Sequence, residues 1–228
     1  MYWLRTWRTQ SLTLSMAIHL QLHNVFCLGK NFAAHAREFN SAPPTSPLWF
    51  NKLPSIFIGD GDDIIIPEWL TSRVDCEAEV AIRIGSDLFN ASEQQCEDSI
   101  TGYTCANDIT ARDVQSNDRN NGLPWLRSKN VQTFGTLGPH WLDYPGHADF
   151  MRLELEGKLN GKVVQFSALS EMIFTPAQAL SEISRWHQLV SGDVLLLGTP
   201  EGVNPLNDGD QLEVSCGDIK LRNTVRRA

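Results

Sequence analysis

The sequence has no C-x-x-C pair, and its five cysteines among 228 residues form an odd number. Neither a structural zinc site nor a disulfide framework is indicated, so a reducing, cytoplasmic setting is favoured. The chain also lacks the G-x-x-x-x-G-K-[ST] pattern, which argues against a phosphate-binding loop of that type. It has no internal repeat and no low-complexity segment. These absences favour a single globular unit whose chemistry does not depend on zinc or a phosphate loop.

Positive charge is scarce. Lys and Arg number 19 against 27 Asp and Glu, for a net charge of −8. A chain this acidic is a poor candidate for binding nucleic acid or an anionic membrane, and Arg222, Arg226 and Arg227 are too few to change that. Hydrophobic residues make up 42% and charged residues 20%, which suits a domain with a real core. We therefore expect a small-molecule partner, with no nucleic acid and no membrane.

The first 37 residues contain no Asp or Glu, a bias also found in transit peptides. However, apolar and polar residues alternate from Leu12 to Leu22, and a period of two is typical of a strand. His19 and Gln21 interrupt any apolar span of membrane-crossing length. We predict β structure over residues 11–28. We assign residues 1–23 to an N-terminal β segment of unassigned function and residues 24–228 to the main domain.

Strand patterns dominate the remainder of the chain. Asn160-Gly161 between two apolar runs predicts a hairpin turn. The predicted strands cover residues 12–28, 56–66, 74–84, 100–108, 151–157, 162–167, 193–199 and 210–225. The pattern indicates a β-rich α+β fold.

Few helices are predicted. The most convincing one begins after Thr175, with Pro176 at its first position. Shorter helices are predicted over Ala33–Glu38 and residues 92–98. A further helix is predicted to open at Thr110, because Thr110-Ala111-Arg112-Asp113 has the form of a capping box.

The stretch VDCEAEVAI, residues 74–82, places Asp75, Glu77 and Glu79 on one face of a predicted strand. Like charges on one face repel, so this is either a solvated face or a cation site. Because repulsion would be relieved, we expect loss of Glu77 to leave the fold intact. Asp108 ends another strand, where Asn107-Asp108 alone would suggest a turn. Beside Glu77 and Glu79 it would complete an all-oxygen site that suits Mg²⁺ first, then Mn²⁺ or Ca²⁺.

Three further clusters could carry chemistry. His35 and Glu38 are three residues apart, so one helical turn would place both side chains on the same face. The carboxylate could then orient the imidazole to activate a water molecule, although an ordinary surface pair is the commoner case. Lys129 lies in a predicted loop, residues 122–132. A lone lysine is normally solvated, but in a metal site this one could stabilise a developing oxyanion. Gly198-Thr199 ends a buried-type strand and could either bind a substrate carboxylate or form a plain turn.

Taken together and in order, six segments resemble the fumarylacetoacetate hydrolase family in its short, single-domain, acylpyruvate hydrolase-like form. The resemblance covers about residues 24–228. The segments are LGKNFAAHAREF, VDCEAEVAIRIG, ITGYTCANDITARDVQ, LPWLRSKN, LNGKVVQ and SGDVLLLGTPEGV. The resemblance implies a mixed β-sandwich roll of the fumarylacetoacetase C-terminal-domain type with a few short helices. It also implies a homodimer.

The resemblance also implies a role for each matched residue. Glu77, Glu79 and Asp108 match the ligands of the catalytic divalent metal, whereas Asp75 matches no ligand position. The other matched residues are His35 and Glu38 as the water-activating dyad, Lys129 as the oxyanion-stabilising lysine, and Arg112, Gln115, Gly198 and Thr199 as substrate-binding residues. The sequence departs from the family after Lys129, where Asn130-Val131-Gln132 replaces the frequent S-F-D.

The function implied is hydrolysis of a carbon–carbon bond in acylpyruvate-like 1,3-dicarbonyl acids. A metal-bound enolate would leave after attack by water that His35 and Glu38 activate. Isomerisation of hydroxydienoates and decarboxylation of β-keto acids such as oxaloacetate remain alternatives, because both would use the same site. A non-catalytic metal- or ligand-binding β module is the alternative from another class. It would need the carboxylates but not His35, Glu38 and Lys129.

Overall fold

A computed structural model describes residues 22–38 and 42–228 of the chain. Strands predominate, as the alternating patterns predict. The strands are β1 Val25–Gly29, β2 Leu48–Lys52, β3 Phe57–Ile58, β4 Asp63–Ile66, β5 Val74–Cys76, β6 Ala78–Ile84, β7 Ile100–Asp108, β8 Thr110–Ala111, β9 Gly135–Leu137, β10 Leu142–Asp143, β11 Glu154–Leu159, β12 Lys162–Ala168, β13 Val194–Leu196, β14 Asn204–Pro205, β15 Gln211–Cys216 and β16 Ile219–Arg227. The β structure predicted for residues 11–21 lies outside the described residues.

The helices are short and lie between these strands. They are α1 Ala33–Glu38, α2 Glu93–Ser99, α3 Arg112–Asn120, α4 Leu126–Lys129, α5 His147–Phe150 and α6 Pro176–Trp186. Single 3₁₀ turns occur at Pro54–Ile56 and Leu169–Glu171. Within the described residues, no helix combines the length and the apolar character needed to cross a bilayer.

The strands form three sheets, of which the two larger ones are mixed and the smallest is antiparallel. The largest has the order β2-β1-β13-β6-β7-β9-β3, with β10 also paired to β7. A five-stranded sheet has the order β12-β11-β15-β16-β4, and a small sheet joins β14, β5 and β8. The pairs β1–β13, β3–β9 and β4–β16 are parallel and the others are antiparallel. This curled, β-rich arrangement with few helices confirms the predicted fold class.

The main core lies between the large sheet and the five-stranded sheet. Val80 and Ile82 of β6 contribute to it from one sheet, Val214 and Leu221 from the other, and Ile183 of α6 closes it. Residues on the opposite face of the large sheet, such as Ala81, belong to a second cluster. Because β6 is covered on both faces, any charged side chain on it must find partners inside the protein.

Side-chain caps define two of the predicted helices. Thr175 and Gln178 form a capping box at the start of α6, and Ser92 and Gln95 form one at the start of α2. The Asn160-Gly161 hairpin is also confirmed. Asn160 has φ 53° and Gly161 has φ 77°, the conformation that a two-residue turn between β11 and β12 requires.

The helix predicted to open at Thr110 begins instead at Arg112. Thr110 lies in β8, where it pairs with Asp75, and its hydroxyl donates to the Asp108 carbonyl at 2.9 Å. Asp113 does not complete a capping box, because its carboxylate accepts from the Arg73 backbone N–H at 2.9 Å. Strand pairing therefore keeps Thr110 extended, and the capping-box prediction was wrong.

Candidate active site with a buried carboxylate cluster

The carboxylates singled out in VDCEAEVAI do not lie on one continuous strand. The chain breaks between β5 and β6 at Glu77, whose backbone N–H donates to the side-chain carbonyl of Asn107 at 2.9 Å. The Glu77 carbonyl in turn accepts from the backbone N–H of Asp108 at 2.9 Å. This exchange ties the break in one strand to the end of β7, and so brings Glu77 and Asp108 together.

Glu77, Glu79 and Asp108 form a buried triad. Their exposed fractions are 4%, 1% and 1%, which excludes a solvated strand face. One oxygen from each carboxylate lies within 4.8 Å of those from the other two. An ion with ligands at about 2.0–2.6 Å could contact all three at such separations.

The surroundings of Glu79 support a cation at this position. Among the described residues no cationic side chain pairs with Glu79, which accepts a hydrogen bond from the Gly198 backbone N–H at 2.8 Å. Burial raises the pKa of Glu79 well above its usual value, and the charges of Asp108 and Glu77 raise it further. A buried all-oxygen set in which one carboxyl group makes no ion pair fits a hard divalent cation.

Lys129 reaches into the triad rather than into solvent. It ends the one-turn helix α4, where a loop was predicted, and its Nζ lies 2.7 Å from Glu77 Oε2 and 2.6 Å from Asp108 Oδ2. Burial alone would lower its pKa, but Asp108 and Glu77 outweigh burial and raise the pKa. The Lys129 ammonium is therefore held in its charged form. It also lies 5.1 Å from the centre of the Phe50 ring.

Helix α4 is held in place from both sides. Asp118 of α3 accepts from Arg127 Nε at 3.0 and 2.9 Å with its two oxygens. On the other side, Asn130 accepts from the Leu53 backbone N–H at 2.6 Å and donates to the Leu126 carbonyl at 2.8 Å. The unusual Asn130 thus links α4 to the end of β2, and these contacts determine where Lys129 points.

Lys52 is a site residue that the sequence analysis did not identify. It is the last residue of β2 and only 1% exposed, and its ammonium contacts Asp108 Oδ1 and the Ile109 carbonyl. A lone lysine at the end of a short strand is normally solvated. No local pattern in the sequence distinguishes Lys52 from such a residue.

Arg112 and Asp75 form a second layer of charge beside the triad. Arg112 donates to Asp75 Oδ2 at 2.8 Å and to Gln115 Oε1 at 2.7 Å, and it also contacts Glu77 Oε1. The other oxygen of Asp75 accepts from Arg73 Nε at 2.6 Å. Burial would lower the pKa of Arg112, but Glu77 and Asp75 raise it. Asp75 thus orients the arginine that contacts Glu77.

The cluster contains more positive charge than the sequence suggested. Three buried cations, Lys52, Arg112 and Lys129, face four buried carboxylates. Burial would raise the pKa of Glu77, but Lys129 and Arg112 hold it well below its usual range. Glu77 is therefore a stabilised ion rather than a source of net repulsion. The expectation that its loss leaves the fold intact does not agree with these contacts.

His35 and Glu38 lie on one turn of α1, as their spacing predicts. His35 Nδ1 is 3.1 Å from Glu38 Oε2, and the backbone N–H of Gly202 lies 3.4 Å from both Glu38 oxygens. When Nδ1 donates to Glu38, the imidazole takes the tautomer in which Nε2 is basic. His35 lines the same pocket as Glu77 and Glu79. His35 is therefore buried at the pocket wall, and the exposed Glu38 contacts it from outside the pocket.

Thr199 forms another part of this pocket, and Gly198 precedes it as the residue whose backbone N–H contacts Glu79. Gly198 has φ 90°, and a Cβ there would lie 3.0 Å from the Asn31 Cβ, so the position requires glycine. Thr199 Oγ1 accepts from the amide of Gln165 at 2.7 Å, and Gln165 also donates to the Pro200 carbonyl at 2.9 Å. Gln165 is buried and was not identified from the sequence. It orients the Thr199 hydroxyl at the pocket wall.

The matched residues converge on one pocket. His35, Glu77, Glu79, Lys129 and Thr199 line it together with one side of α3. The segments that carry them lie far apart in the sequence, so the fold creates this grouping. Its contents are those of a metal-assisted catalytic site: a triad of carboxylates, an oriented imidazole and a buried ammonium.

Comparison with known proteins agrees with this arrangement. The family model for the fumarylacetoacetate (FAA) hydrolase C-terminal domain matches residues 24–226. The mitochondrial oxaloacetate tautomerase FAHD1 of Bos taurus is 33% identical over 205 residues, which cover 90% of this chain and 92% of that protein.

Two solved structures extend the comparison. The 5-carboxymethyl-2-hydroxymuconate delta-isomerase of Mycobacterium smegmatis has a TM-score of 0.79 at 35% identity, covering 91% of this chain and 80% of that one. The fumarylpyruvate hydrolase of Pseudomonas aeruginosa, solved with Mn²⁺ and pyruvate, has a TM-score of 0.82 at 27% identity, covering 91% of both chains. These relatives are enzymes with different reactions on one fold. The match over residues 24–226, the fold and the relatives together show that this chain belongs to the fumarylacetoacetate hydrolase family.

Proposed function

We propose that this chain is a divalent-metal-dependent hydrolase that cleaves a carbon–carbon bond in acylpyruvate-like 1,3-dicarbonyl acids. The observation that carries the proposal is that His35, which contacts Glu38, lines the same pocket as Glu77 and Glu79 of the carboxylate triad. The Pseudomonas relative is a fumarylpyruvate hydrolase solved with Mn²⁺ and pyruvate. Pyruvate is the acid that cleavage of an acylpyruvate releases.

Glu77, Glu79 and Asp108 would hold the metal, for which Mg²⁺ is the first candidate and Mn²⁺ or Ca²⁺ the alternatives. A divalent ion bound there supplies a Lewis acid for the oxygens of a keto acid. The triad's buried position excludes bulk water from this contact. Its three carboxylates also provide the oxygen donors that distinguish such ions from zinc.

His35 is the proposed base. Glu38 accepts a hydrogen bond from Nδ1–H, orients the ring and stabilises the imidazolium that forms when Nε2 takes a proton from water. Lys129 is the proposed oxyanion partner, because its charged ammonium lies beside the triad in a buried position.

The remaining matched residues are proposed to bind the anionic substrate. Arg112 and Gln115, which hydrogen-bond to each other, present polar groups from α3, and Gly198 and Thr199 do so from the opposite segment. Four carboxylates facing three buried cations leave the cluster close to neutral, so a bound divalent ion would make it positive. Such a site favours an acid over a neutral ketone.

Isomerisation or tautomerisation is the second candidate function. The Mycobacterium and Bos taurus relatives are named as an isomerase and a tautomerase, and both fit this chain over most of its length. Such reactions move a proton within the substrate, so His35 would act without an attacking water. Decarboxylation of a β-keto acid would likewise need no activated water. A non-catalytic binding module would turn over none of these compounds.

A substrate panel with product identification tests the proposal. The chain, loaded with Mg²⁺ or Mn²⁺, is incubated with acylpyruvates, oxaloacetate, hydroxydienoates and fumarylacetoacetate, and products are followed by NMR. Release of pyruvate and a second carboxylic acid from an acylpyruvate is the expected result. Isomer formation or CO₂ release without hydrolysis would replace the proposed reaction with one of the alternatives. The homodimer and the cytoplasmic location stay predictions, testable by light scattering and by fractionation.

A further inference from the structure

The segment that follows Lys129 forms a loop that begins and ends at Asp108. At its start, the Lys129 ammonium lies 2.6 Å from Asp108 Oδ2. At its end, Gly135 is the partner of Asp108 where β9 pairs with β7. Residues 130–134 lie between these two contacts. The conformation of this short segment therefore helps to decide whether the Lys129 side chain reaches the carboxylate.

A residue in the left-handed region makes the turn in this loop. The Phe134 backbone N–H donates to the Val131 carbonyl at 3.0 Å, and Thr133 between them has φ 70°. A positive φ at the third residue is characteristic of a type II turn, where glycine or asparagine is favoured. A β-branched residue is an outlier in that region, and such strain persists only where the surrounding structure imposes it. Thr133 is therefore held in a conformation that its own side chain disfavours.

The Thr133 hydroxyl supplies the constraint. Its Oγ1 accepts from the Ile65 backbone N–H at 2.8 Å and lies 3.4 Å from the Ile65 carbonyl oxygen. Ile65 belongs to β4, the edge strand of the five-stranded sheet, whose other side pairs with β16. The Thr133 side chain, which is 6% exposed, thus takes the place of a neighbouring strand. Glycine would relax the turn but could not make this contact.

We propose that Thr133 is a positioning residue, which holds the Lys129 ammonium against Asp108 and Glu77 through its anchored turn. The inference rests on the proposed function only for the oxyanion role of Lys129, because its contacts with both carboxylates belong to the structure itself. Without the hydroxyl, the strained turn loses its anchor, and the shift passes back along the loop to Lys129. A displacement of about 1 Å at a catalytic group is enough to lower a rate by about 100-fold.

A double-mutant cycle between Thr133 and Lys129 tests this inference without any substrate. Thr133→Val removes the hydroxyl at nearly constant shape, and Lys129→Met removes the charge. The urea midpoint of unfolding is measured in EDTA for the wild type, both single variants and the double variant. The change that Lys129→Met causes should be at most about half as large in the Thr133→Val background, because the lysine has already lost its contacts there. Equal changes in both backgrounds, zero included, would overturn the inference.

Kinetics on the substrate that the panel identifies give a second measurement. Thr133→Val and Thr133→Gly should lower kcat by about 10–100-fold with KM within about twofold. Thr133→Ser keeps the hydroxyl and should stay within about threefold of the wild type. Thr133→Val should add no further loss in the Lys129→Met background. The glycine variant forms the turn without strain, so it replaces valine in both cycles if the valine variant does not fold.

Thr104→Val provides a matched control, because the Thr104 hydroxyl is also buried and donates to a backbone carbonyl, that of His140, at 2.8 Å. It should lower the urea midpoint without altering the effect of Lys129→Met. Wild-type kcat in Thr133→Gly, or equal kinetic losses from Thr133→Val in both Lys129 backgrounds, would overturn the inference. Coupled midpoints without turnover of any compound would overturn the proposed hydrolysis and leave Thr133 as the residue that positions Lys129. Turnover with uncoupled midpoints would do the reverse.

Discussion

Two substitutions in the triad, Glu77→Gln and Glu79→Gln, should have opposite effects on the stability of the metal-free protein. Each removes one negative charge and conserves size. Glu77 contacts Lys129 and Arg112, whereas Glu79 accepts a hydrogen bond from the Gly198 backbone N–H, which a glutamine carbonyl can also accept. The two residues therefore differ in what their removal leaves behind.

Loss of the Glu77 charge leaves two buried cations with one partner fewer. Breaking a buried ion pair in this way costs about 3–5 kcal/mol, and we take about 3 kcal/mol because the glutamine carbonyl can still accept one hydrogen bond. For a chain of this size, about 2–4 °C per kcal/mol predicts that Glu77→Gln lowers Tm by about 6–12 °C.

Glu79→Gln should leave stability unchanged or increase it. Burial and the charges of Asp108 and Glu77 raise the pKa of Glu79 above its unfolded value of about 4.3. Above the raised pKa, the folded protein must hold this carboxyl group in its costly charged form. The free energy of unfolding is therefore lower there than at a pH where the group is protonated. Glutamine mimics the neutral form, so the penalty disappears.

The assay is urea denaturation followed by circular dichroism, in EDTA and again in Mg²⁺. In EDTA, Glu77→Gln should unfold at lower urea and Glu79→Gln at the same or higher urea than the wild type. In Mg²⁺ at about 100 times Kd, the wild type should gain about 2.7 kcal/mol, and both variants should lose most of that gain. Equal destabilisation by the two substitutions in EDTA would refute the assignment of counter-ions. A full Mg²⁺ response in either variant would refute the triad as the metal site.

Three other predictions follow from the site and its surroundings. His35→Ala and Glu38→Gln should each lower kcat by about 10²–10⁴-fold with metal affinity unchanged, as steady-state kinetics and calorimetry would show; full activity in both would favour decarboxylation. Lys129→Met should lower kcat/KM by about 10²–10³-fold, and Lys129→Arg should restore only part of it, so undiminished kcat/KM in the methionine variant would contradict its role. Burial raises the pKa of all five cysteines, that of Cys76 to about 11. Ellman's reagent at pH 8 should therefore detect almost no reactive thiol in the native protein and five thiols after denaturation.

Some elements could be predicted because their signals are local. The capping residues Thr175 and Ser92 stand beside the helices they start, and Asn160-Gly161 carries its own turn geometry. His35 and Glu38 meet because a single helical turn joins them. In each case the interacting groups lie within a few residues of each other, so spacing alone decides the contact.

Other features depend on partners that are distant in sequence. The alternation from Val74 to Ile84 is unbroken, so nothing local announces the break at Glu77, which an Asn107 side chain stabilises from 30 residues away. Lys52 is buried because Asp108, 56 residues away, provides its counter-ion. The sequence pattern of a solvated lysine and that of a buried one are the same when the partner lies on another strand.

The dispersal of the pocket residues has a consequence for how the protein acquires activity during folding. The pocket residues His35, Glu77, Lys129 and Thr199 are carried by segments whose order in space differs from their order along the chain. Bringing these distant segments together is slow, because the chain loses conformational entropy in each loop closure before the stabilising contacts form. A partly folded intermediate that contains only neighbouring strands would therefore lack a working pocket. We expect the recovery of catalysis after dilution from denaturant to lag behind the recovery of β structure.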